Sequence, residues 1–411
     1  MTHRWIWLLP LWALAQSGAA QSPPITPETR KEVLTKVSEI IEKYAFVPNI
    51  DFKQWPTFLE SERERIDAAG TEEEFQRAVN SVLMRFGASH FLLSTPRIAE
   101  TRRSGNTVGI GVMTQQDGDA LVILRVIPGA PAEGAGLVAG DRILEVDGKK
   151  VEGTRGIAGP EGTPLSLKVK KAGGQVTNIK LTRKKFSTLR PEEIAFVNDD
   201  TLRIVIPTFD LSYDAKRVEG LMAKAVGKKN LIVDLRDNGG GAVFNLQHFL
   251  SFFVPRDQPI GTFVTRRASE RFAKETGQSP TDVVAVAKWN PAKLLAQSRT
   301  EVPRYAGNVV VLINGGSGSA SEMAAAALRD HSRAKVVGTR SAGAVLVSVI
   351  VPVGGGFTLQ YPLSDYVTTN GQRLEGEGVL PDVEVEEPRL RLPTAPDPVV
   401  LKATETLKSM G

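Results

Sequence analysis

The 411-residue chain contains no cysteine and only four histidines. The first absence excludes a disulfide framework, a lipidated cysteine, a thiol nucleophile and thiolate metal sites. The second leaves few groups able to take a proton near neutral pH. Aromatic residues make up 6% of the chain, and no basic block is interleaved with them, so nothing points to nucleic acid. Long apolar runs are also missing. The longest early one, Trp5 to Ala15, is too short for a bilayer, which takes roughly 20 residues, and no later segment is longer.

That early run has a purpose of another kind. It follows Arg4 and precedes the small residues Gly18, Ala19 and Ala20, the pattern of a secretory signal cut after Ala20. A periplasmic or extracellular protein with no stable membrane insertion is expected. Net charge is +5, falling to +4 without Arg4, which reads as ordinary solvated surface.

Three patterns follow residues 1–20. Residues 21–105 are helical. "TPETRKEVLTKVSEIIEKYAF" places Val33, Val37, Ile40, Ile41 and Tyr44 on one face, and Thr71 with Glu74 makes a capping box, so a small cap of its own is expected. Residues 106–185 alternate apolar and polar residues between Gly, Asp and Pro turns, a β-rich module with one short helix at "APAEGAGL". Residues 186–411 alternate strand and helix. "TLRIVIPTF", "NLIVDLRD", "NVVVLINGG" and "AKVVGT" read as buried, largely parallel strands of an α/β core. Ligands in such sheets bind at the strands' carboxyl ends, where "DLRDNGGGA" and "INGGSGSASE" supply glycine-rich turns. Residues 267–302 are less patterned and read as a lid or a substrate-lining insertion.

Ser317, Ser319 and Ser321 crowd the second turn. Ser319 with Glu322 has capping-box spacing, so one account simply starts a helix there. The other account uses the same place. A serine on a strand-to-helix turn projects its hydroxyl from the sheet edge, and the next amide, Ala320, points where an oxyanion forms. The glycine run 239–241 can supply a second donor.

The ordered motifs "GIGV…PAEGAGLVAGDRILEVDG…IVDLRDNGGG…VVVLINGGSGSASE…VVGTRSAG…GEGVLPDVEV" resemble the tail-specific, or C-terminal processing, serine peptidases over roughly residues 27 to 390. The resemblance implies a crotonase-like (ClpP/crotonase) α/β core with an inserted PDZ-like module and an N-terminal helical cap. It also implies Ser319 as nucleophile, with amides of Ala320 and Gly240 (Gly239 as the alternative) as oxyanion donors. No metal or other cofactor is expected. Partners are polypeptide substrates, some met through their C-terminal tails, and a homo-oligomer is compatible with the family.

The best-known branch takes the serine's proton with a lysine 25 residues on, where this chain has Ala344, and no lysine occurs between Lys335 and Lys402. The search then falls on histidine. His3 leaves with the signal. His248 lies in an apolar helix and reads as structural. His331, about 18 Å from Ser319 along one helix, suits the helix C-terminus. His90 remains. A second branch, resembling tricorn and the retinoid-binding-protein-like members, has a Ser-His pair and a glutamate before "G-V-x-P-D", which match Ser89, His90 and Glu375 here. That resemblance implies His90 as general base, with Ser89 and Glu375 orienting it. A histidine base predicts an acid limb of activity near its ordinary pKa of about 6.5.

In the PDZ-like module, Gly109, Ile110, Gly111 and Val112 resemble the loop that holds a peptide's terminal carboxylate. Only "EGTRGIA" separates Val151 from Gly159, too short for the helix that walls the groove in the family. The leading expectation is a secreted serine endopeptidase acting on exported or misfolded polypeptides. Its rival is an inactive peptide-binding pseudopeptidase, discriminated by whether Ser89, His90 and Glu375 approach Ser319. A crotonase-type acyl-CoA enzyme is a third class, but it should lack both the PDZ-like module and the signal.

Overall fold

The computed structural model describes residues 23–410 apart from Arg155, residues 298–300, Arg333 and Thr394. The expected signal segment 1–20 lies outside the described residues. The chain divides into two compact units. One comprises residues 25–99, 190–386 and 399–411, and the other residues 100–189 and 387–398.

The first unit is built on a sheet with the order Glu193–Asn198, Thr201–Val205, Asn230–Asp234, Asn308–Ile313, Lys335–Gly338, Val383–Glu384. All neighbours run parallel except the first pair. The apolar runs are continuous because both faces are covered. Leu231, Val233, Val309 and Val311 join a core with Val218, Met222, Phe249 and Ala324 from three helices. Their alternates Ile232, Val310, Leu312 and Val337 pack against Val399, Ala403 and Leu407 of the helix Pro398–Ser409. Each large side chain buried this way contributes roughly 1.5–3 kcal/mol.

A second sheet in this unit joins Leu92–Ser94, Val347–Gly354, Phe357–Val367 and Pro259–Thr265. It changes the reading of the amino-terminal helices, which do not form a cap of their own. Val33, Val37, Ile41 and Phe75 share one core with Leu346, Phe357 and Leu359. The reason is strand Leu92–Ser94, which pairs with Phe357–Val367 and draws the helices onto that sheet. Helix Pro27–Lys43 starts at Thr26 and buries Val33, Val37 and Ile41, but Tyr44 is its C-cap and is exposed. Helix Glu72–Met84 carries both halves of the Thr71–Glu74 capping box.

The less patterned stretch 267–302, read as a lid or a substrate-lining insertion, carries two helices. Helices Arg266–Thr276 and Val283–Trp289 pack Phe272, Val283 and Val286 on Val264 and Val367 of the second sheet.

The second unit contains an antiparallel sheet ordered Val112–Asp117, Ala120–Val126, Arg142–Val146, Pro164–Lys170, Val176–Thr182. One short helix, Pro131–Gly134, falls in the expected place. Among the described residues between Lys150 and Pro164 there is no helix. Buried Arg183 ties that loop down instead, donating to the carbonyls of Gly156, Ile157 and Pro164 and to Thr163 Oγ1. A side chain at Gly159 would meet the Arg183 guanidinium at 2.8 Å. No helix among the described residues is long and apolar enough to cross a membrane.

Candidate active site

Three parallel strands, Thr201–Val205, Asn230–Asp234 and Asn308–Ile313, end side by side, and their loops build the site. The two glycine-rich turns are cross-tied. Asn314 Nδ2 donates to Asp237 Oδ1, the Asp237 amide donates back to Asn314 Oδ1, and the Gly318 amide donates to the Asn238 carbonyl. Behind them lies buried Asp234. Burial alone would raise its carboxyl, but Arg236 and Arg203 outweigh that and hold it at about 2.

The three serines separate by what their hydroxyls do. Ser317 Oγ donates to the Leu235 carbonyl and accepts from the Asn314 amide, so it is structural. Ser321 is fully buried with a hydroxyl that has no partner. Ser319 is half-buried, and its Oγ bonds to no described residue.

Ser319 does not cap the helix Ala320–Ser332 in the expected way. Glu322 Oε2 accepts from the Ser319 amide at 3.0 Å, which is one half of a capping box. In the other half the Glu322 amide takes the Ser319 carbonyl, not its hydroxyl. The cause is the backbone, because Ser319 has φ 54° where an N-cap residue is extended. Thr71, in the same chain, shows the full box. Left-handed φ is otherwise found, outside glycine, at Asn49, Asp147, Asp237, Asp257 and His90. Asn and Asp tolerate that region through local side-chain bonds; a serine and a histidine held there point to a site.

Glu322 has no exposed surface and gathers four donors: the Ser319, Gly343 and Ala344 amides and Ser341 Oγ. It therefore clamps loop 341–344 onto the turn that bears Ser319. Burial pushes its carboxyl up to about 7 in spite of those donors. The native state thus holds this proton more tightly than the unfolded chain. The stabilisation tied to it is full below about pH 4.5 and is lost as pH rises toward 7. Urea unfolding between pH 5 and pH 7.5 should show stability falling by up to about 3 kcal/mol, the free energy of such a shift.

The amides expected as oxyanion donors differ in what they bond. The Ala320 amide has no partner among the described residues. The Gly240 amide is engaged with Asn238 Oδ1 at 2.9 Å, so it is not free as expected, and Gly239, exposed and with an unpartnered amide, is the available glycine. Gly240 has another task. Its φ is 95°, and a Cβ there would lie 2.6 Å from Ser319 Cβ and 2.8 Å from the Ala320 nitrogen.

Ser89, His90 and Glu375 form one hydrogen-bonded row. Glu375 Oε1 accepts from the Ser89 amide and Oε2 from Ser89 Oγ, each at 2.9 Å. Ser89 Oγ lies 2.6 Å from His90 Nδ1. Burial raises the Glu375 carboxyl above its ordinary value, opposed by the bonds from Ser89 and Val345. The row reaches the Ser319 turn through two adjacent residues. Glu375 Oε2 also accepts from the Val345 amide at 2.8 Å, and the Ala344 carbonyl accepts from the Ser319 amide at 2.7 Å. His90 is half-buried, with φ 64°.

The other histidines are engaged elsewhere. Buried His248 bonds through Nδ1 to Tyr213 Oη at 2.7 Å and through Nε2 to Glu219. His331, near the end of its helix, bonds to the Pro259 carbonyl at 2.8 Å. Ala344, where the resemblance led a lysine to be looked for, is buried. Sequence reasoning missed the clamp made by Glu322 with Ser341 and the occupation of Gly240 by Asn238. The first was visible only as a helix-cap spacing; the second had no signal.

In the second unit, Gly109 ends a strand paired with Lys184–Ser187. The carbonyls of Ile110 and Gly111 accept from Ala132 and Ile127. Gly111 has φ 76°, and a Cβ would fall 2.0 Å from Ala130 Cβ, so only glycine fits. Val112 begins an edge strand that pairs, among the described residues, with Ala120–Val126 alone. One backbone edge is thus open.

Residues 200–385 match the family model described as peptidase family S41, and residues 122–171 match the PDZ domain model. A carboxy-terminal-processing protease of Bartonella bacilliformis is 29% identical over 328 residues, covering 76% of this chain and 70% of its own. A probable CtpA-like serine protease of Staphylococcus haemolyticus is 28% identical over 294 residues, 70% of this chain but 54% of its own, so the chain spans just over half of that relative. Among solved structures, the photosystem II D1 C-terminal processing protease aligns with TM-score 0.50 and 21% identity, covering 88% of this chain and 94% of that one.

Proposed function

We propose that this chain, a serine peptidase whose residues 200–385 match peptidase family S41 and whose residues 122–171 match a PDZ domain, hydrolyses peptide bonds through a Ser319 acyl-enzyme with His90 as general base. The observation that carries this reading is the row Glu375–Ser89–His90. An ionised carboxylate only accepts hydrogen bonds, so the Ser89 hydroxyl proton goes to Glu375. Ser89 Oγ then accepts from His90 Nδ1–H, which leaves Nε2 with the lone pair that a base needs. Ser89 thus stands between carboxylate and imidazole, where a serine-protease triad has direct contact.

The steps follow. His90 Nε2 takes the Ser319 proton as Oγ attacks the carbonyl carbon. The amides of Ala320 and Gly239 hold the oxyanion, and the imidazolium returns the proton to the leaving amine. Water, deprotonated by His90, then releases the acyl group. Glu375 and Ser89 keep the imidazole in its tautomer throughout. The core is assigned to the crotonase-like type on its parallel sheet and the site at the strands' carboxyl ends. Substrates are exported or misfolded polypeptides, met outside the cytoplasm, and the Gly109–Val112 loop with its open edge strand holds C-terminal tails.

A fluorophosphonate probe tests this. Wild type should carry one covalent adduct, mapped to Ser319 by peptide mass spectrometry, and Ser319→Ala none. An unlabelled wild type in the presence of saturating peptide supports instead a peptide-binding protein without turnover.

A further inference from the structure

The loops that carry the site also expose two large apolar side chains. Leu211 lies in the loop after strand Thr201–Val205 and is 76% exposed. Phe244 lies in the first turn of helix Val243–Leu250, after strand Asn230–Asp234, and is 50% exposed. Both loops leave the carboxyl edge of the sheet, beside the loop of Ser319. Single exposed apolar side chains are ordinary on a surface, but these two stand on adjoining loops at the carboxyl edge of a parallel sheet, where ligands bind.

Their positions are fixed. The Phe209 amide donates to the Gly240 carbonyl, the Ala242 amide to the Phe209 carbonyl, and Asn245 Nδ2 to the carbonyls of both Phe209 and Asp210. The missing side chain of Gly241 lets these backbones meet, since a Cβ there would sit 2.0 Å from the Phe209 carbonyl carbon. Leu211 and Phe244 therefore flank one rigid clip, and the adjoining Gly240 touches Ser319. Phe244 stacks on no ring among the described residues. The other strongly exposed phenylalanine, Phe196, is covered by Lys228 at 5.3 Å.

We propose that Leu211 and Phe244 form the apolar subsite that seats a large aliphatic or aromatic side chain of the substrate next to the scissile bond. This rests on Ser319 being the nucleophile, and it adds the class of residue selected there. Neither side chain carries a charge or a buried donor, so the subsite rejects polar residues by leaving them without partners.

Binding to the Ser319→Ala protein tests the subsite apart from turnover. Two peptides with both ends blocked, one with a single leucine in a Gly/Ser sequence and one with serine in its place, are compared by fluorescence anisotropy. Blocking the C-terminus removes the carboxylate that the PDZ loop would take. The leucine peptide should bind about tenfold or more tightly. Leu211→Ser and Phe244→Ser should each remove most of that preference, whereas Phe244→Leu should keep it. Equal affinities for the two peptides, or a preference that both serine variants retain, would overturn the subsite. Failure of fluorophosphonate labelling in wild type would overturn the catalytic reading instead, so the two are told apart.

Discussion

Replacing His90 by alanine is expected to slow acylation of Ser319 by about 10⁴- to 10⁶-fold, the loss seen when a serine peptidase loses its base. A serine hydroxyl is a weak nucleophile until its proton has somewhere to go. His90 is the histidine that a carboxylate orients through a hydroxyl beside the Ser319 turn, and no lysine stands at position 344 to replace it. The measurement is the fluorophosphonate labelling rate across pH. Wild type should lose rate on the acid side as the imidazole protonates, and His90→Ala should lose that limb along with the rate. Ser89→Ala should retain more activity than His90→Ala, because it removes the orienting hydroxyl and keeps the base. The sharpest rival is Glu322, whose carboxyl already touches the Ser319 amide and sits at about 7. An undiminished rate in His90→Ala, with the acid limb intact, would transfer the role to Glu322.

The architecture explains why a histidine so far away in sequence can serve this turn. The amino-terminal helices are not an appended cap. Their core is continuous with Leu346, Phe357 and Leu359, so Ser89 and His90, just before strand Leu92–Ser94, sit in the same compact unit as Ser319. Glu375 lies 286 residues from Ser89, and its carboxylate joins that segment to the Ala344–Val345 backbone. Loop 341–344, which Glu322 holds down, carries no side-chain base in this chain; it is a backbone strut between the two carboxylates.

What could be read in advance divides by range. The parallel strands were legible because both their faces are buried, which turns the sequence into uninterrupted Val and Ile runs. The helix at Pro27 was legible because Thr26 and the Pro entry are local signals, as was the Thr71–Glu74 box. Tyr44 was not, since periodicity says which face a residue shares but not that the helix ends there. The excursion at 267–302 failed for a related reason: its two short helices are specified by packing on Val264 and Val367, which no local pattern shows. In the site, the same capping spacing occurs at Thr71 and Ser319, yet only the first becomes a full box. The difference is a single φ at Ser319, where Gly240 and the Ala344 carbonyl, both distant in sequence, meet the turn alongside the nearby Glu322. Ser89, His90 and Glu375 carried no local signal at all; only the resemblance singled them out.

A methyl group at Gly240 is the smallest change that should disable the site. The position has φ 95°, where a residue with a side chain is strained by about 1–3 kcal/mol. Space is the larger obstacle. The added Cβ would meet Ser319 Cβ at 2.6 Å, the Gly318 carbonyl oxygen at 2.7 Å and the Ala320 nitrogen at 2.8 Å. Two of these contacts are backbone, so the turn itself must move, and with it Ser319 and the Ala320 amide, the proposed nucleophile and oxyanion donor. Losing one oxyanion donor typically costs about 10²–10³ in turnover. Gly240→Ala displaces the attacking atom as well, so peptide turnover should fall by at least that factor. Gly315→Ala is the control, since a Cβ there meets nothing within 4 Å and its φ is not left-handed. Near-wild-type turnover in Gly240→Ala would mean that the Ser319 turn does not hold the reacting geometry, and that the nucleophile must be sought elsewhere.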